Sequence, residues 1–205
     1  MKKKLLISLL LLFLFTTFSQ AQTKKGQFAI SGNIGASLLA LKWEGITTPA
    51  VIDNAAPAFQ GLLDYALLDK LSIGGAFSYQ NVTTINHGYK YINTSGKQVT
   101  EDVVNSIVLM NFSYRILFHY FDNDKIDLYS GIRMGLNYYQ NSHSSNDLNY
   151  QINPSNQSNM FNEFGFAPQV IGIGIRMYIY EDLAVNTEFA IGYPSFFSFG
   201  LTYRM

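Results

Sequence analysis

Residues 126–139 read IDLYSGIRMGLNYY. Even positions carry Ile126, Leu128, Ser130, Ile132, Met134, Leu136 and Tyr138; odd positions carry Asp127, Tyr129, Gly131, Arg133, Gly135, Asn137 and Tyr139. A period of two marks a strand whose side chains point alternately to opposite faces. The same alternation recurs along the chain and predicts strands at 27–40, 57–68, 71–81, 103–121, 126–140, 164–180, 183–193 and 196–205. No segment has a helical period. Tight turns are expected at 69–70, 122–125 and 181–182, and a short turn containing Pro194 before the last strand. Long polar segments at 41–56, 82–102 and 141–163 join the other ends. Short and long connections in alternation give an up-and-down meander. The predicted spans suit a closed membrane barrel, where a tilted strand needs about 9–11 residues.

Which face looks inward follows from the kinds of polar residue. One parity is apolar: Ile171, Ile173, Ile175, Met177 and Ile179, or Phe197, Phe199, Leu201 and Tyr203. A soluble sandwich would turn that face inward and decorate the other with lysine, glutamate and threonine. Here all ten lysines fall outside the predicted strands, whereas all four arginines (Arg115, Arg133, Arg176, Arg204) fall inside them on the polar parity. The acids there are Asp64, Asp127 and Glu188, among Gly, Ala, Ser and Asn. Small residues around a few charges are the composition of a narrow interior. A buried charge without a partner costs several kcal/mol, so Asp64, Arg115, Asp127, Arg133, Arg176 and Glu188 are expected to form an ion-pair network there. The apolar face then looks into lipid, and closure removes the sheet edges that lipid does not tolerate. In regular hairpins Arg176 would face Glu188 about residue 182, and Arg115 would face Arg133 about residue 124. Aromatics cluster toward strand ends, Tyr65, Phe118, Tyr120 and Tyr203 at the short-turn end and Phe59, Phe77, Tyr79, Tyr138, Tyr193 and Phe197 at the other, as interfacial girdles do.

The N-terminus adds a destination. Lys2, Lys3 and Lys4 precede an apolar run over 5–15, and Ser19 and Ala21 place small residues before a cleavage point. Residues 1–21 are read as a secretory signal peptide and 22–205 as one barrel domain. Loss of three lysines leaves 11 Lys+Arg against 14 Asp+Glu, a charge of −3, so nothing draws the chain to nucleic acid. With no cysteine, an exported fold here is not stapled by disulfides.

The signal ending SQAQ, the eight alternating strands and the terminal segment SFFSFGLTYRM resemble the small outer-membrane β-barrel superfamily of OmpA transmembrane domains and OmpX. The resemblance spans the mature chain and implies an all-β, eight-stranded antiparallel up-and-down barrel in the outer membrane of a Gram-negative cell. Its termini and short turns would be periplasmic. Phe197, Phe199, Leu201 and Tyr203 resemble the C-terminal signal read by the barrel assembly machinery, although that signal usually ends in an aromatic residue and this chain ends in Met205. Family members range from anchors and adhesins to narrow pores and lipid-modifying enzymes.

Catalytic signals are sparse. His87, His119 and His143 have no metal-ligand spacing, and no metal or cofactor is expected. The segment GIGIR at 172–176 lacks the third glycine and the helix of a phosphate loop. HSSN at 143–146 resembles the His-x-Ser-Asn stretch of barrel lipid A deacylases. That resemblance would make His143 the base and Ser145 the nucleophile, with Glu163 the nearby acid. The leading expectation is a structural or surface-interaction barrel with a plugged lumen and no catalysis. Partners are membrane lipid, the assembly machinery and an extracellular ligand met by 82–102 and 141–163. The rivals are a narrow channel or apolar-ligand conduit, and a lipid A hydrolase.

Overall fold

The computed structural model describes residues 24–37, 50–123, 125–145 and 163–205; the expected signal peptide lies outside them. The strands are β1 (Phe28–Ala36), β2 (Ala50–Ala55), β3 (Ala58–Leu68), β4 (Leu71–Ile92), β5 (Gln98–Asp122), β6 (Ile126–Ser145), β7 (Glu163–Tyr180), β8 (Leu183–Gly192) and β9 (Phe197–Arg204). Every neighbouring pair is antiparallel. β9 pairs with both β8 and β1, and β4 with both β3 and β5, so the sheet closes on itself. β2 continues the line of β3 along β4, after a break at Ala56 and Pro57. The nine strands therefore make eight staves, the all-β barrel expected.

The sheet is apolar outside and polar inside. Along β5, Phe112, Tyr114, Ile116, Phe118 and Tyr120 are exposed while Asn111, Ser113, Arg115 and His119 are buried. The exposed apolar side chains run round the barrel through Ile73, Ile132, Met134, Val170, Ile191 and Leu201. A water-soluble surface rarely carries an apolar patch beyond a few hundred Å², so this band is a lipid-facing surface. Cross-strand aromatic pairs strengthen it, among them Phe28–Tyr65, Phe77–Phe112 and Phe189–Phe197 with ring centroids 4.8–4.9 Å apart.

Several expectations need correction. The polar segment 82–102 is mostly sheet. β4 and β5 pair from Val82↔Ile107 out to Ile92↔Gln98, beyond the apolar band. Its Val, Thr, Ile and Tyr residues favour a pleated surface whether or not lipid is present. The tip is closed by Asn93, whose side-chain oxygen accepts from the N–H groups of Ser95 and Lys97. Lys90 thus lies within a strand, as do Glu101 and Asp102. Residues 141–145 are likewise strand and not loop. In β7, Ile171 is buried, not lipid-facing, because a register shift between Ile171 and Ile173 reverses the parity.

Beyond the band, Asp102 Oδ1 accepts from Gly88 N–H and Oδ2 from His87 Nδ1, each at 2.9 Å. Donation from the Gly88 amide, and then from His87, holds the Asp102 carboxyl below its ordinary range. A lowered folded-state pKa gives ordering that is present above the unfolded value and lost as pH falls through the folded one. Hydrogen-exchange protection of the Gly88 amide should therefore decline as pH drops below about 4. Asp102→Asn should lack that step.

Candidate functional site

The polar parity brings the predicted charges together in the barrel interior. β3 contributes Asp64, β5 Arg115, β6 Asp127 and Arg133, β7 Arg176 and β8 Glu188, and each is at most 3% exposed. Glu188 sits between two arginines, 2.5 Å from Arg115 Nη2 and 3.4 Å from Arg133 Nη2. Asp64 bridges Arg115 Nε at 3.1 Å and Arg176 Nη2 at 2.6 Å. Arg176 Nη1 reaches Asp127 at 3.3 Å. Three guanidinium groups meet three carboxylates, so the set is neutral. The fourth arginine, Arg204, sits at the rim against Asp182 (3.5 Å) and over the Tyr178 ring (4.2 Å).

The pairing is not that of a regular hairpin. Arg115 does face Arg133 across the β5–β6 ladder. Arg176, however, is opposite Asn186, and Glu188 is opposite Gly174. Tyr180 pairs with Leu183, which centres the hairpin below residue 182, and the register shift between Tyr178 and Tyr180 moves the ladder further, so the two charges find other partners across the lumen. Arg115 and Arg133 repel each other from adjacent positions, and Glu188 reaches from the far wall to hold both.

Neutral groups extend the network in both directions. Tyr129 donates its hydroxyl to Glu188 at 2.8 Å, and Arg176 lies 4.6 Å over its ring. At the short-turn end, His119 Nδ1 lies 2.7 Å from Asp127 Oδ1 and Nε2 lies 2.9 Å from Ser72 Oγ. At the other end Arg133 Nη1 donates to Gln60 at 3.2 Å, and Gln60 Nε2 donates to Ser195 Oγ at 2.6 Å. A continuous chain of polar contacts thus runs from Ser72 to Ser195. Such networks are worth most when fully paired, and they fix one arrangement of the wall. The order Ser72–His119–Asp127 matches that of a hydrolase relay. Ser72 is buried, however, and the second oxygen of Asp127 is held by Arg176, whereas a nucleophile must meet its substrate. Sequence reading missed Ser72, Tyr129 and Gln60 because neutral side chains on the polar parity look like filler until the register is known.

The HSSN candidates fall differently. His143 and Ser145 lie in β6 opposite Asn105 and Val103, and Glu163 opens β7 opposite Tyr139. The Ser145 hydroxyl donates to Glu101 at 3.1 Å and lies 3.4 Å from the Tyr91 hydroxyl. Among the described residues no group of three or more His, Cys, Asp or Glu could hold a metal ion. Phe199, Leu201 and Tyr203 point outward from β9, each about half exposed, and Phe197 shares their parity against Phe189.

Comparison with curated proteins finds no match. Solved structures similar to the chain include the attachment invasion locus protein Ail of Yersinia pestis, at 11% identity over 88% of this chain and 99% of that one (TM-score 0.41). OprG of Pseudomonas aeruginosa is similar at 13% identity over 89% and 97% (TM-score 0.48). The N-terminal β-barrel domain of OprF from the same organism is similar at 13% over 88% and 98% (TM-score 0.44). Likeness at this level says nothing of function. The sequence model of the outer membrane protein beta-barrel domain matches residues 7–203. With a match over nearly its whole length and a closed barrel that is apolar outside and polar within, this chain belongs to the outer membrane protein beta-barrel domain family.

Proposed function

We propose that the chain is a non-catalytic outer-membrane barrel with a plugged lumen, serving as a structural or surface-interaction protein. It is exported by residues 1–21 and assembled through the Phe197, Phe199, Leu201 and Tyr203 face. The carrying observation is the burial of Asp64, Arg115, Asp127, Arg133, Arg176 and Glu188 in one contact network across the barrel. Side chains fill the interior of an eight-strand barrel, and here those at mid-height are held by charge pairs rather than left to rotate. The surface role rests on the β4–β5 hairpin, which extends past the apolar band and carries Tyr89, Lys90, Glu101 and Asp102. A ligand would be met there and by 141–163. Engagement of the Ser145 hydroxyl with Glu101 supports a structural use for that serine over hydrolysis. In a planar bilayer the purified protein should show no steady openings. Resolved, reproducible conductance steps would overturn the plugged reading in favour of a narrow channel. Unchanged lipid A acyl chains on deletion of the gene are the result expected for a non-hydrolase.

A further inference from the structure

The barrel wall has a seam between β1 and the β2–β3 stave. β1 and β3 pair as far as Gly35↔Ala58 and stop there. The residue just before β3 is Pro57, which has no N–H to give. At the far end of β3, Ala66 N–H bonds to Gln27 on the β1 side at 2.9 Å, and a period of two would aim Ala56 the same way. Ala56 N–H instead donates to Asn81 of β4 at 3.1 Å. Its carbonyl accepts from Gln80 Nε2, also at 3.1 Å. The backbone that would have sealed the wall against β1 is turned toward β4.

A cavity of about 430 Å³ lies at this seam. Its lining comes from both parities of the wall. Ile34 and Phe199 come from the outer, lipid-facing parity, 40% and 53% exposed. Phe197 and Pro57 add to the apolar wall, and Gln80 comes from the inner parity. Gln80 is 2% exposed, and its Oε1 has no hydrogen-bond partner. The Ala56 carbonyl needs a donor, so it fixes the amide nitrogen on that side and leaves the oxygen as the free acceptor. A buried acceptor without a donor is destabilising, and an occupant that brings a donor removes that cost.

We propose that the seam binds a single-chain amphiphile whose head carries a hydrogen-bond donor, with the chain along Ile34, Phe197 and Phe199 and the donor on Gln80 Oε1. Ser37 lines the cavity beside Gln80, and apolar walls with a few placed polar groups are how small-molecule sites obtain both affinity and orientation. Ile34 and Phe199 put the apolar part of the lining on the lipid-facing parity, so the proposed ligand comes from the membrane and needs no path through the charged lumen. Open or closed, that lumen leaves the proposal standing.

The test uses the full protein in nanodiscs, titrated with 1-dodecanol and separately with methyl laurate, which has a comparable chain and no donor. Binding is read by native mass spectrometry and by the Gln80 side-chain amide resonances. Dodecanol should bind saturably and at least about fivefold more tightly than methyl laurate, the worth of one hydrogen bond. Gln80→Leu should erase that preference. Ala36→Trp, which places a ring in the seam, should abolish saturable binding of both probes while the folded barrel still shifts on a detergent gel after heating. Equal binding of the two probes, unmoved by Gln80→Leu, would mean a groove wetted by any acyl chain and would overturn recognition of the head. No saturable binding by either probe would overturn the site.

Discussion

Glu188→Ala should lower the unfolding free energy of the reconstituted barrel by about 3–5 kcal/mol, the usual cost of removing one partner from a buried ion pair. Glu188 is the group on which the Arg115, Arg133 and Tyr129 side chains converge. Without it, Arg115 keeps Asp64, but Arg133 is left beside another guanidinium with Gln60 as its polar contact. The desolvation of Arg133 is then uncompensated, and the repulsion between the two arginines is no longer screened. Urea titration of the barrel in lipid vesicles, followed by gel mobility without heating, measures the loss. Coupling in double-mutant cycles sharpens the test. Arg115→Met with Glu188→Ala should be far from additive, because the two side chains touch at 2.5 Å. Arg176→Met with Glu188→Ala should be much closer to additive, since Arg176 is held by Asp64 and Asp127. Strong coupling for the second pair and none for the first would mean Arg176 and not Arg115 holds Glu188, and the network is differently wired.

That contrast shows where sequence reading ends. The barrel, its parity and the six interior charges are legible in the chain because a period of two sorts side chains before any register is known. Arginines confined to one parity, with lysines kept away, settle which face is inside. Contacts within the interior are another matter. They depend on register, and single extra residues near Tyr178–Tyr180 and Ile171–Ile173 shift it without altering composition. Arg115 faces Arg133 because the shift between His119 and Phe121 centres the β5–β6 ladder on residue 124; Arg176 misses Glu188 because the β7–β8 hairpin centres below residue 182 and the shift between Tyr178 and Tyr180 carries it further away. The extended β4–β5 hairpin was hidden for a different reason. Its polar faces resemble a loop when strands are recognised by an apolar side, yet antiparallel pairing needs only β-favouring residues and a closing turn such as the one at Asn93. The seam at Pro57 rests on where one amide points, which no pattern of side chains records.

Gly174→Ala should destabilise the barrel by about 1–3 kcal/mol, the range for a methyl group forced into a close-packed interior. A Cβ at Gly174 would run into the Tyr129 ring, which crosses from the neighbouring strand. A ring at the end of a free side chain would swing aside. This one is fully buried, its hydroxyl is donated to Glu188, and Arg176 covers its face. Moving it disturbs both halves of the network at once. Here the glycine is required by the space the ring takes and not by backbone conformation. Tyr129→Ala removes the obstacle, so the double variant should be less destabilised than the two single variants added together, a coupling readable in the same urea titration. If Gly174→Ala instead costs under about 0.5 kcal/mol, as a surface change would, the Tyr129 ring has room to move and the lumen at mid-height is looser than its contacts imply.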